Sequence, residues 1–141
     1  MIAALAATGL LAAQVADGGG GDLSGLWRTP VDGGSLIRLS PCGGAICGRI
    51  VTSPHIRAVP DQRDVRNRDP ALRDRVLRDL MVMKVRPLEP GKWGDGWVYN
   101  PEDGGTYKGE MALRPDGTLR LTGCIVTPFC KTQTWRRVQA D

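Results

Sequence analysis

The feature that most restricts this chain is a change of period. From residue 25 onward, apolar and polar side chains alternate in short runs, most of them ended within a few residues by Gly or Pro. A period of two is the signature of a strand with one face in a core and one in water. Eight such runs read in order: Gly25 to Arg28, Ser35 to Ser40, Ala45 to Thr52, Met81 to Arg86, Gly96 to Tyr99, Thr106 to Leu113, Thr118 to Cys124 and Lys131 to Val138. The 19 glycines and 10 prolines fall largely between them, and Asn100 to Gly105 and Pro115-Asp116-Gly117 carry strong turn chemistry. Eight sequential antiparallel strands predict an all-β, up-and-down barrel, a closure that leaves no exposed edge. At 141 residues the chain has room for one such domain, expected over residues 25–138.

The hairpin around Pro41-Cys42-Gly43-Gly44 can be read more closely. A two-residue turn at Gly44-Ala45 places Cys42 opposite Cys47 and Leu39 opposite Ile50. Ile37, Leu39, Ile46 and Ile50 then share the inward face, and Arg38, Arg49 and both cysteines share the other. One stretch breaks the alternation. Between Ser53 and Asp79, Asp69-Pro70 forms a helix start, and Leu72, Val76 and Leu77 recur at helical spacing. One short helix is expected over Pro70 to Asp79, covering part of the sheet or one mouth of the barrel.

The opening residues Met1 to Ala16 are uncharged and rich in Ala and Leu. They are too short to span a bilayer and resemble the apolar region of a signal peptide, with cleavage expected at residues 16–18. Residues 17–24 read as a flexible linker, and the mature protein is expected in the periplasm with no transmembrane span. In that oxidising compartment, four cysteines in two close pairs, Cys42 with Cys47 and Cys124 with Cys130, read as two local disulfides. A four-thiolate zinc site is the competing reading, and the spacing of the second pair is loose for it. No cofactor and no metal are expected.

The net charge is +4, yet it does not form a nucleic-acid footprint. Between Arg57 and Asp79 seven arginines are interleaved with five aspartates, a pattern that solvates a face rather than tracking a phosphate backbone. Catalytic groups are equally thin. His55, the single histidine, reads as an exposed loop residue, and Glu102 with Asp103 is accounted for by its turn. No serine sits in a nucleophile elbow, and no catalytic residue is assigned.

Several motifs in order resemble one family. They are Gly25-Leu26-Trp27, the run Ser40 to Val51 with its two cysteines, Asp69-Pro70-Ala71-Leu72-Arg73, Tyr99 to Tyr107, and Gly123-Cys124 through Phe129-Cys130 to Trp135. Together they are similar to the bacterial exported proteins grouped as domain of unknown function 2147, across nearly all of Gly25 to Val138. The resemblance implies a lipocalin-like barrel in the periplasm and no settled activity. It also implies that an arginine of the last strand, Arg136 or Arg137, packs over Trp27 to close one end. This chain departs from the pattern in its Arg- and Asp-rich stretch from Arg57 to Asp69, and in Thr127, which lengthens the second cysteine loop.

Two functions remain open at this point. In the first, the barrel holds a small, partly apolar molecule. Leu39, Ile50, Met83 and Tyr107 would line it together with Met111, Leu113, Leu119 and Leu121, and Trp97 and Tyr99 would flank the mouth. In the second, the arginine-rich segment binds a protein of the cell envelope, since Arg is favoured at interfaces.

Overall fold

The computed structural model describes residues 23–30, 34–126 and 129–139. The leader Met1 to Ala16, its cleavage site and most of the expected linker lie outside the described residues. Leu23, near the end of that linker, is buried and accepts a hydrogen bond from the Trp27 indole Nε1 at 2.9 Å.

Eight strands form a closed antiparallel barrel in sequential order: β1 (Gly25–Arg28), β2 (Leu36–Cys42), β3 (Ala45–Thr52), β4 (Met81–Glu89), β5 (Lys92–Asn100), β6 (Gly105–Leu113), β7 (Leu119–Val126) and β8 (Phe129–Val138). β8 returns to pair with β1, Trp27 opposite Arg137, so every strand has two neighbours.

The β2–β3 register differs from the sequence reading by two residues. Leu39 lies opposite Gly48, Ile37 opposite Ile50, and Cys42 opposite Ala45. The turn is Gly43-Gly44, with both residues at positive φ (59° and 83°), which is the requirement of a type I′ turn. A shift of two keeps every side chain on its predicted face, so Ile37, Leu39 and Ile50 are buried while Arg38 and Arg49 are exposed. It also makes Cys42 and Cys47 diagonal partners on the outer face, bridged with their Cα atoms 5.8 Å apart. Cys124 and Cys130 lie directly opposite each other on β7 and β8 and form the second disulfide.

The expected helix over Pro70 to Asp79 is a single 3₁₀ turn, Pro70–Leu72. Its start signal holds, because the Asp69 side chain accepts from Ala71 N at 3.0 Å. The helix stops because the following backbone pairs elsewhere. Asp64 N donates to Arg75 O at 2.8 Å and Leu77 N to Gln62 O at 2.9 Å, around an antiparallel bridge between Arg63 and Val76. A short helix forms instead at α1 (Pro54–Ala58), capped by Ser53, whose Oγ accepts from Ile56 N at 3.2 Å. The sequence reading does not single out Ser53-Pro54, although it carries the same signal as Asp69-Pro70, a capping side chain followed by Pro at the start of the helix.

One half of the interior is tightly packed. Trp27, Leu39, Met83, Val85 and Leu119 are almost fully buried there. Gly48 makes the packing possible, since a Cβ at that position would stand 2.5 Å from Met83 Cγ and 3.0 Å from Leu39 Cδ2. The end is closed by Arg137, whose guanidinium lies 4.3 Å from the centroid of the Trp27 ring and donates to Ser24 O at 2.9 Å. Arg136, the other candidate, is an exposed neighbour of Arg28 on the outer face.

Candidate functional site: a cavity with a polar mouth

In an up-and-down barrel alternate connections fall at the same end. The β3–β4, β5–β6 and β7–β8 connections therefore share the end opposite Trp27 and Arg137. There the barrel is hollow, with an open cavity of about 720 Å³. That volume lies within the range of small-molecule sites. Ile37, Ile50, Val98, Leu121 and Trp135 supply apolar wall, and Gly123 borders the cavity with no side chain to fill it.

The β3–β4 connection crosses the mouth as a strap, and one carboxylate holds it. Asp64 is 1% exposed. It accepts hydrogen bonds from Tyr99 Oη at 2.5 Å, Asn67 Nδ2 at 2.8 Å and Arg75 Nη2 at 3.1 Å. Burial, with the bond to Asp64 second, pushes the Tyr99 hydroxyl well above its ordinary range. The strap also dictates a glycine: a Cβ at Gly104, which sits at φ 73°, would overlap Arg66 O, and Arg68 N donates to Gly104 O at 3.1 Å.

Around the rim the turn residues meet the strap. His55 Nε2 lies 3.0 Å from Glu102 Oε2, and Arg66 lies 3.8 Å from the other oxygen of the same carboxylate. Tyr107 Oη donates to Asp103 Oδ2 at 2.5 Å and accepts from Arg68 at 3.4 Å. The bond to Asp103 is the main reason the Tyr107 hydroxyl is raised above its ordinary range. His55 and Glu102, read from the sequence as an isolated loop histidine and a turn, are thus brought together across 47 residues. Barrel parity was the available signal, since both sit in connections that an eight-strand meander places at one end.

Of the residues expected to line the interior, Ile50, Tyr99, Tyr107 and Leu121 border the cavity. Leu39, Met83, Met111 and Leu119 are buried in the packed half, and Leu113 is partly buried against it, so none of these borders the hollow space. Trp97 stands apart from the mouth. It lies between Lys84 and Lys108 in the barrel wall and borders a shallow surface depression with Gly96 and Gly109. Upstream, a bulge between Trp93 and Gly96, with Asp95 at φ 51°, moves the alternation of β5 by one residue, and Val98 borders the cavity. Among the described residues no group of three His, Cys, Asp or Glu side chains is placed to hold a metal. No described helix is long and apolar enough to cross a membrane.

The comparisons with known proteins agree on the architecture. No curated protein matches the chain. Among solved structures, it is similar to the Helicobacter pylori protein HP1028, described as belonging to the lipocalin family, with a TM-score of 0.73 and 22% identity over 84% of each chain. At that identity the likeness is one of fold, a lipocalin-like barrel. The family model described as "Uncharacterized protein conserved in bacteria (DUF2147)" matches residues 25–137, the whole of the barrel as far as its closing arginine, and the chain belongs to that family.

Proposed function

We propose that this protein is an exported binding protein that carries one small, partly apolar molecule in the open half of its barrel. The observation that carries the reading is the cavity of about 720 Å³, with apolar walls below and a polar, strap-covered mouth above. An eight-stranded barrel is only wide enough to be filled by side chains or to hold one small ligand. Here the residues that could fill it are confined to the other half. Export to the periplasm is supported by the two disulfides, which persist in oxidising compartments.

The arginine-rich segment argues less for a protein interface. Five of its seven arginines are engaged within the barrel and strap: Arg63 with Asp74 O, Arg66 with Glu102, Arg68 with Tyr107, Arg73 with Asn67 O and Arg75 with Asp64. Binding rather than catalysis also suits the rim, where His55 and Glu102 are both about half exposed and no nucleophile bonds to either among the described residues.

Native mass spectrometry of protein purified from the periplasm of its host tests the reading directly. The expected result is a bound small molecule that is lost on denaturation. Gly123→Leu should abolish that adduct and leave the fold intact, because a Cβ at Gly123 meets Val98 Cγ1 at an ordinary 3.4 Å and the added branch enters the cavity. A clean apo mass, together with no uptake of the neutral probe N-phenyl-1-naphthylamine, would refute the carrier function.

A further inference from the structure

The rim of the cavity carries charges of both signs, and they differ in what they already hold. Its three carboxylates are satisfied. Asp64 accepts from Tyr99, Asn67 and Arg75; Glu102 faces His55 and Arg66; Asp103 accepts from Tyr107 Oη and from Gly105 N. Two of its cations are also engaged, Arg66 with Glu102 and Arg63 with the carbonyl of Asp74.

The inner face of β8 is different. Lys131, Gln133 and Trp135 follow one another at a spacing of two and all border the cavity, so they descend a single wall from mouth to floor. Trp135 Nε1 donates to Gln133 Oε1 at 3.0 Å, which leaves the amide NH₂ group as the donor not yet used. That nitrogen and the Lys131 ammonium have no partner among the described residues. The Cα atoms of the two residues are about 7 Å apart along the strand. Lys131 lies opposite Gly123 of β7, so no neighbouring side chain on that strand screens it from the cavity. The site therefore offers a ligand hydrogen-bond donors and positive charge on one wall, and carboxylates that already accept from protein donors on the other.

We propose that the cavity selects an amphiphile with an acidic head, a carboxylate or a comparable monoanion, held at the mouth by Lys131 and Gln133 with its apolar tail against Ile37, Val98, Leu121 and Trp135. The proposal rests on the carrier reading and names its ligand class. The physical basis is that hydrogen bonds from an ammonium to a carboxylate are short and strong, and a donor pair without acceptors gives an amine or alcohol head no equivalent gain. A cationic head of the same length meets Lys131 as a like charge.

The test uses the full purified protein, freed of bound lipid, loaded with N-phenyl-1-naphthylamine, and titrated with decanoate, 1-decanol or decyltrimethylammonium. Decanoate is expected to displace the probe at about tenfold lower concentration than 1-decanol, in line with one charge-assisted hydrogen bond, and the cation should be the weakest competitor. Lys131→Met should erase the preference for the acid and leave 1-decanol unchanged. Lys131→Arg should keep the preference, and Gln133→Leu should reduce it. Equal displacement by acid and alcohol, or a preference that survives Lys131→Met, overturns the acidic-head assignment while the carrier reading stands. Failure of the probe and of all three competitors to bind overturns both.

Discussion

Removal of the Asp64 carboxylate should cost this protein more than the loss of most core methylenes, and the cost should have a distinctive coupling. In Asp64→Ala the buried Tyr99 hydroxyl and the buried Asn67 amide both lose an acceptor. A stranded buried donor costs about 1–3 kcal/mol. The Arg75 contribution is discounted because that side chain is 39% exposed and water replaces much of the pair. The sum is about 3 kcal/mol, or a fall in Tm of about 10 °C for a domain of this size. Tyr99→Phe alone removes one hydrogen bond and leaves Asp64 with two partners, a loss of about 1 kcal/mol. In the Asp64→Ala background the same Tyr99→Phe change removes a stranded hydroxyl, so it should be neutral or stabilising. Urea unfolding followed by tryptophan fluorescence reads all four proteins, with the slope checked for constancy. Additive losses across the cycle, or a loss below about 1 kcal/mol for Asp64→Ala, would refute the claim that this carboxylate anchors the strap.

The chain has only two tyrosines, and both hydroxyls are raised above the ordinary 10.0, Tyr99 chiefly by burial and Tyr107 chiefly by its bond to Asp103. An alkaline titration should therefore show phenolate absorbance developing at higher pH in the folded protein than in the unfolded chain. Because unfolded tyrosine releases its proton first, the stability linked to Tyr99 is intact below pH 10 and is lost as pH rises above it, and Tyr99→Phe should flatten that slope. At the closed end, Arg137→Ala removes the cation over Trp27 and the bond to Ser24 O, and should cost about 1–2 kcal/mol by thermal melting. Arg136→Ala should stay within about 0.5 kcal/mol, and equal losses for the two arginines would contradict the assignment of Arg137 as the closing residue.

The parts of the fold legible in the sequence are those set by period and by face. Ile37, Leu39 and Ile50 point inward as the alternation requires, and they do so despite the shifted register, because a two-residue slip preserves face. The register itself was ambiguous, since Gly43-Gly44-Ala45 offers glycine for either of two adjacent turns. The reading at β5 failed at Trp97 because period two puts it on the same face as Tyr99 but two residues farther from the mouth, between Lys84 and Lys108. The strap was illegible for a different reason. Its shape depends on which of five aspartates is buried, and that follows from Tyr99 lying beneath it, a contact between residues 35 apart in the chain. His55 and Glu102 were hidden by the same kind of distance.

Whether such a barrel is solid or hollow is decided by few inward positions. On β6 and β7 the inward residues run Met111 and Leu121 toward the packed half, then Gly109 opposite Gly123, then Tyr107 at the mouth. A Cβ at either glycine would make only ordinary contacts with Val98 at 3.4–3.5 Å, so close approach of the backbones does not require them. At Gly123, which borders the cavity, the effect is the room it leaves. Gly48 contrasts with them in the other half, where the missing side chain is replaced at once by Met83. In one half, then, a glycine permits dense packing, and in the other Gly123 leaves space beneath a strap that a single buried carboxylate holds down. The strap and the hollow belong to one arrangement: Asp64 ties the mouth at Tyr99, and the β8 wall with Lys131 and Gln133 keeps its donors for whatever enters.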